Sequence, residues 1–275
     1  MTPNRGVKEQ AEAASSDMDS PVSSWCSSPW KRVCDLAGAV FLLLIFLPLM
    51  LIAALGVKLS SPGPVFFRQR RPGRGGREFS IVKFRTMLDG RNTPGPVLTR
   101  AADPRVTWLG NYMRKWKVDE LPQLWNVLAG EMSFVGPRPQ PTRLWQHKSI
   151  RRQAACVLSV RPGITSRATV NFRHEEALLG PLRPEEVEEV YTRTIMPLKL
   201  NMEIEYLKQA TFLGDLAIIC RTVLRIFDRR HEDDALVREY LPVVGRRGYP
   251  SPHTEPAGYV SAVEKKEYRP AEQTD

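Results

Sequence analysis

The sequence predicts a helix-rich α+β protein in which one N-terminal, membrane-inserted helix packs on a compact domain carrying a small β-hairpin. Three observations predict it: 22 uncharged residues from Leu36 to Val57, two apolar runs flanking a glycine-rich turn between Gly63 and Met87, and helical patterns over residues 103–132 and 183–227. With 275 residues, 42% of them hydrophobic, the chain holds enough apolar material for a core in one domain or two, which excludes a disordered chain or a staple-dependent scaffold. Its four cysteines, Cys26, Cys34, Cys156 and Cys220, form no C-x-x-C pair and have no histidine at zinc-ligand spacing beside them, so neither a disulfide framework nor a structural zinc site is expected.

Residues 1–29 are rich in Ser, Pro, Ala and acidic residues without an apolar period and read as a disordered tail. Residues 30–58 form the membrane-inserted helix, since 22 residues at about 1.5 Å each span roughly the 30 Å of hydrocarbon in a bilayer. An uncleaved signal sequence is disfavoured by the late start of the run and by Lys58 at its end. Lys31 and Arg32 precede the run, and Lys58, Arg68, Arg70, Arg71, Arg74 and Arg77 come after it, so both flanks have the basic character of a cytoplasmic side. Pro48, past the middle of the run, removes a backbone donor and bends the helix there. A bent, re-entrant helix accommodates both facts; a proline-kinked span is the alternative.

Residues 59–228 form the main domain. Across residues 58–117 there are 14 Lys or Arg against Glu78, Asp89 and Asp103, which accounts for the whole formal net charge of +10 and points to an anionic partner. The string GPVFFRQRRPGRGGREFSIVKFRTM reads as a hairpin, from which Lys83 and Arg85 leave on one face because strand side chains repeat every two residues. Two short helices come next, the second opening near Asp119 and ending at Ala129 and Gly130. Trp108, Tyr112 and Trp116 recur at spacing four and share one helical face, which is interfacial or core. Residues 183–227 give two more helical stretches, and 229–275 a mobile tail.

Nucleotide-binding P-loop, Rossmann, nucleophile-elbow and zincin strings are absent, and His147, His174, His231 and His253 are scattered. The concentrated signal is Asp119-Glu120-Leu121-Pro122. Pro122 is tolerated only in a first helical turn, which makes Asp119 the expected N-cap and puts two carboxylates where backbone N–H groups are free. An anionic phosphate would be held at that same place, and two carboxylates tolerate it only if cations intervene. A magnesium ion together with Arg114 and the Pro137-Arg138-Pro139 arginine would supply them. Such an Asp could attack phosphorus; taken alone, the dipeptide reads first as an N-cap followed by a helix-favouring acidic residue.

Longer strings resolve the choice. K-R-x-x-D (Lys31, Arg32, Asp35), S-P-G-P-V-F-F, K-F-R-T-M, D-x-R-x-T-x-x-G, D-E-L-P-Q-L-W-N-V-L and G-E-M-S-F-V-G-P-R-P, with P-G-I-T at Pro162–Thr165, R-H-E-E at Arg173–Glu176, Asp215 and Thr222, resemble the bacterial sugar transferases, the monotopic phosphoglycosyl transferases. The resemblance covers roughly Lys31 to Leu224. It implies a catalytic domain on the cytoplasmic face of the bacterial inner membrane. The enzyme would move a sugar 1-phosphate from a UDP-sugar to polyprenyl (undecaprenyl) phosphate and release UMP, as the initiating step of exopolysaccharide, capsule, O-antigen or glycoconjugate synthesis. It implies Asp119 as nucleophile and Glu120 as magnesium ligand, with Arg138, Lys83, Arg85, Arg114 and Arg173 as phosphate partners. Membrane lipid is an expected partner, a homo-oligomer stays open, and nucleic acid is not expected, because that reading of the charge leaves the apolar run unexplained. A non-catalytic scaffold of the same fold is the other alternative. Two departures from the family pattern stand out: Leu47 in place of Ser before the membrane proline, and Ser166 in place of Gly after P-G-I-T, where a turn of positive φ is expected.

Overall fold

A computed structural model of the chain describes residues 22–88, 98–99, 103–147, 150–172, 175–179 and 183–227. The tail 229–275, most of the tail 1–29 and Arg173 therefore lie outside the described residues. From Val22 on, the N-terminal segment belongs to the fold: helix α1 (Ser24–Ser27) is capped by Ser23, whose amide and hydroxyl bond the carbonyls of Leu207 and Ala210.

Helix α2 (Pro29–Ser60) opens on a Ser28 cap with proline in its first turn and runs through Pro48 without interruption. Its buried residues, Lys31, Asp35, Ala39, Leu43, Met50 and Val57, lie four or seven apart and make one narrow stripe. The other faces leave Phe41, Leu44, Leu51, Ile52, Leu55 and Leu59 each more than 60% exposed. A helix apolar all round with only a stripe covered requires a non-aqueous surrounding, so the expected membrane association rests on the packing as well as on hydropathy. Gly38 lets the stripe approach Phe134, whose ring would lie 2.8 Å from an added Cβ.

Strands β1 (Phe66–Pro72) and β2 (Glu78–Phe84) pair antiparallel, from Phe66 opposite Phe84 to Pro72 opposite Glu78, as the expected hairpin. Gly75 and Gly76 turn it at φ 65° and 71°, which side-chain-bearing residues rarely adopt. Helix α3 (Trp108–Lys115) is capped by Thr107, whose hydroxyl accepts from the Gly110 amide at 2.9 Å. Trp108 and Tyr112 are 68% and 61% exposed, so the aromatic face is not core.

A one-turn 3-10 helix (Val118–Glu120) then carries the dyad, and helix α4 (Gln123–Leu128) begins only after Pro122. The expected N-cap role of Asp119 is thereby corrected. Pro122 donates no hydrogen bond, so the chain passes it in successive tight turns, with Leu121 bonding Val118 and Leu124 bonding Leu121, rather than as one α-helix. The cap position belongs to Lys117, at φ 57°, a left-handed conformation that costs a residue with a Cβ about 1–2 kcal/mol.

Strand β3 (Ser133–Val135) pairs in parallel with β4 (Gly163–Thr165), a second sheet the sequence did not announce. Helix α5 (Arg151–Leu158) lies between them in the chain, and short helices α6 (Arg167–Asn171) and α7 (Glu175–Leu179) come after β4. The expected turn at Ser166 is corrected: its φ is −155°, and its hydroxyl accepts from the Thr169 amide at 2.9 Å as the N-cap of α6. Serine thus does here what glycine could not. Helix α8 (Pro184–Val190) runs through a π-helical turn, Tyr191–Ile195, into α9 (Met196–Gln209), and α10 (Phe212–Phe227) completes the two helical stretches expected.

One core cluster joins α2, the hairpin, α3 and α4 around Phe84, Leu124, Val127 and Met132; another joins β3, α9 and α10 around Val135, Tyr206, Leu207 and Ile218. In α9, Glu203 is buried beneath the Arg138 and Ala168 amides, and its Oε2 has no partner among the described residues. Burial pushes its carboxyl up to about 7, against the pull of Ser166 and Lys199. A raised carboxyl stabilises the fold fully below its unfolded-state value and loses that contribution as pH rises through about 7. Replacing Glu203 by Gln should therefore flatten the fall in stability between pH 5 and 8, a gain on the order of 3 kcal/mol at the alkaline end. Denaturant midpoints across that range would check it, and parallel curves for the two proteins would refute it.

Candidate active site

Three elements deliver charge to one point. The 3-10 turn presents Asp119 and Glu120, both under 10% exposed. Strand β2 supplies Lys83, whose ammonium donates to Glu120 Oε1 at 2.8 Å. The loop after β3 supplies Arg138, whose NH2 also donates to Oε1 and whose NH1 bonds Oε2 at 3.2 Å and the Ile164 carbonyl of β4 at 3.0 Å. Both strands of the second sheet thus fix the one arginine, which explains why two three-residue strands matter.

The two neighbouring carboxylates are made chemically different. Burial would raise Glu120, but Arg138 and Lys83 outweigh it and hold Glu120 well below the usual carboxylate range. Burial and the Glu120 charge push Asp119 up, and its Oδ1 has no hydrogen-bond partner among the described residues. Glu120 is a fixed, neutralised anion, whereas Asp119 keeps an unshared oxygen of raised basicity, the requirement for a nucleophile. Gln123, fully buried four residues after Asp119, also has no partner among the described residues for its amide oxygen or nitrogen. Buried polar atoms without partners call for one, whether a ligand, an ion or water.

The remaining sequence candidates separate. Arg114 donates to Thr86 Oγ1 at 2.9 Å and to Glu176 Oε1 at 3.3 Å, and its charge bears on Asp119. Arg85 is not brought to the dyad. Its NH2 bonds the Ser61 carbonyl at 2.7 Å, its NH1 bonds that of Pro62, and it passes so close to Gly63 that only glycine fits there, at φ 124°. It fastens the exit of the membrane helix instead, because β2 ends at Phe84 and the two-residue alternation stops with it. Pro48 lies inside α2, and Arg173 falls outside the described residues.

Sequence reasoning missed several residues that build the site. Arg71 braces the arginine loop, its NH1 donating to the Pro139 carbonyl at 2.9 Å. Glu175 accepts from buried Lys199 at 2.6 Å and bears on Arg138, while Asn126 of α4 ties the dyad segment to β2 through the Val82 amide and the Ser80 carbonyl. The K-R-x-x-D residues act as three clamps: Lys31 on Asp215 of α10, Arg32 on the Val127 and Leu128 carbonyls that end α4, and Asp35 on the Phe134 amide and Ser133 hydroxyl of β3.

Among the described residues no three His, Cys, Asp or Glu side chains form a group that could hold a metal alone. Two adjacent carboxylates nevertheless suit magnesium, which takes one or two carboxylates and completes its shell with substrate phosphate and water. Glu120 Oε2, with one bond of 3.2 Å, retains a lone pair for it.

A family profile described as bacterial sugar transferase matches residues 26–229. The chain is 41% identical over 194 residues to a UDP-glucose:undecaprenyl-phosphate glucose-1-phosphate transferase of Caulobacter vibrioides, a match covering 70% of this chain and 68% of that one. It is 37% identical over 201 residues to the Escherichia coli enzyme of the same description, covering 72% of this chain but 40% of that one. Over 110 residues it is 48% identical to a UDP-N-acetylgalactosamine-undecaprenyl-phosphate N-acetylgalactosaminephosphotransferase of Aeromonas hydrophila, covering 40% of this chain and 26% of that one. The motifs, the dyad they build and these matches agree, and the chain belongs to the bacterial sugar transferase family.

Proposed function

We propose that this protein is a membrane-associated enzyme that moves a sugar 1-phosphate from a UDP-sugar to undecaprenyl phosphate, releasing UMP, through a phosphosugar carried on Asp119. The observation that carries the reading is the division of labour in the dyad: Glu120 is locked between Lys83 and Arg138, while Asp119 keeps an oxygen without a partner among the described residues. In the first step a carboxylate oxygen of Asp119 bonds to the sugar-bearing phosphorus as the bond to the bridging oxygen breaks, its electron pair leaving with UMP. In the second, an oxygen of the lipid phosphate attacks the same phosphorus and the carboxylate leaves. Lys83 and Arg138 draw off charge on the transferred phosphoryl group. Magnesium held at Glu120 would neutralise the donor's diphosphate.

The apolar faces of α2 and the exposed Trp108 and Tyr112 support a site held at a membrane surface, and basic flanks at both ends of the apolar run support a re-entrant helix with the domain on the cytoplasmic face. The relatives from Caulobacter and Aeromonas carry the names of glucose and N-acetylgalactosamine transferases, so the class of donor is a UDP-hexose. The initiating step of a surface polysaccharide or glycoconjugate is the role such a product serves.

The test is UMP release by detergent-solubilised protein from a panel of UDP-sugars, with undecaprenyl phosphate and magnesium each omitted in turn. Sustained release that needs donor, lipid phosphate and magnesium is the expected result and names the sugar. Release with no donor of the panel would overturn the reading.

A further inference from the structure

Arg71, beside the site, has no part in the proposed transfer. In the hairpin, Lys83 stands opposite Phe67, Ile81 opposite Gln69 and Phe79 opposite Arg71. Directly opposed residues share a face, so Arg71 and Lys83 lie on the same side of the hairpin, with Gln69 between them. Lys83 reaches Glu120; Arg71 reaches the carbonyl of Pro139, one residue past Arg138. Its Nε and NH2 share Gln69 Oε1 at 3.1 and 2.6 Å, and its NH1 bonds Pro139 at 2.9 Å. A guanidinium has five N–H groups, so these three bonds leave two without an acceptor among the described residues, one on each terminal nitrogen.

Its charge is equally unspent. Both acceptors are neutral, and of the two acidic groups that bear on it, Tyr191 is a phenol and Glu120 is already paired with Lys83 and Arg138. Burial and the Arg138 charge lower its pKa to about 10, the mark of a cation in surroundings that do not yet balance it. A half-buried guanidinium in that condition is balanced by an anion with paired oxygens.

We propose that Arg71 binds the phosphate that is not transferred: that of UMP in the first step and that of the polyprenyl acceptor in the second. Attacking and leaving oxygens lie in line at the transferred phosphorus. With Asp119 on one side, the departing nucleotide phosphate and the arriving lipid phosphate must occupy the other in turn. Arg71, which reaches the arginine loop one residue past Arg138, is a cation available for that position. In the first step it receives the negative charge that UMP gains; in the second it holds the phosphate whose oxygen attacks.

The proposal rests on the transfer reaction but is tested apart from it, by equilibrium binding of UMP to full-length protein in detergent. Arg71→Gln should weaken UMP binding about 10- to 100-fold, and Arg71→Lys, which keeps charge but loses the fork, by an intermediate factor. Slow hydrolysis of the phosphosugar adduct by water, with no second phosphate in place, should fall less in Arg71→Gln than its discharge by undecaprenyl phosphate, which should fall by a factor similar to that in UMP binding. Unchanged UMP affinity in both variants would overturn the assignment, as would equal losses in hydrolysis and lipid discharge, which mean that Arg71 acts only by bracing Arg138. Absence of the adduct from the wild type would count against the transfer reading alone, since UMP binding still decides the role of Arg71.

Discussion

Asp119→Asn is expected to lower turnover by about 10⁴-fold or more and to abolish the phosphosugar adduct, because an amide oxygen cannot replace a carboxylate as the attacking group. The fold should not suffer. Asp119 is buried beside Glu120, and both its burial and that neighbour's charge oppose its ionisation, so the neutral isostere removes an unfavourable charge. The sign is fixed by the direction of the shift: a carboxyl raised in the folded state costs stability at neutral pH, and that cost vanishes with the charge. The variant should therefore melt no lower than the wild type while being inactive, the pattern of a site that trades stability for reactivity. Mass spectrometry of the protein after incubation with donor, beside a melting curve, measures both halves. Ordinary turnover by the variant would remove Asp119 from the mechanism.

Asp215→Ala should cause the largest loss of stability, about 3–5 kcal/mol, because it strands a buried ammonium. Asp215 accepts from Trp25 Nε1 at 2.9 Å, from Tyr206 OH at 2.6 Å and from Lys31, so one carboxylate satisfies three donors from three helices. Burial and the Asp215 charge raise the Tyr206 pKa, which keeps that phenol a donor. Removing Lys31 as well, in Lys31→Met with Asp215→Leu, should recover much of the loss, since an apolar pair carries no desolvation cost. Urea midpoints in detergent measure the difference, and a loss below about 1 kcal/mol for Asp215→Ala would mean that water reaches Lys31.

How far the sequence announces this site depends on the distance over which each residue finds its partner. Asp119 and Glu120 are legible through the long strings around them, whereas Pro122, which suggested a helix cap, produces a 3-10 turn instead. The hairpin is legible from alternation and its glycines, yet Arg71 is hidden among Arg68, Arg70 and Arg74 until the register shows which of them turns inward with Lys83. Arg85 misleads for the reverse reason: two residues past Lys83 it has left the strand, so counting by twos no longer places it. Strands β3 and β4 are three residues each and pair across 30 positions, too short for any period to register. Lys31 and Asp215 are 184 positions apart, and only the fold shows that one explains the other.

Arg32 grips the last carbonyls of α4, the helix that follows the dyad turn, from just inside the start of the apolar helix, and four residues later the uncharged run begins at Leu36. At about 1.5 Å per residue, that is an offset of roughly 6 Å. The protein thereby carries its own depth gauge. In the proposed transfer, the height of the chemistry above the hydrocarbon would be set by one turn of helix and a guanidinium rather than by a flexible tether, so that a water-borne nucleotide and a lipid-borne phosphate would meet at one level.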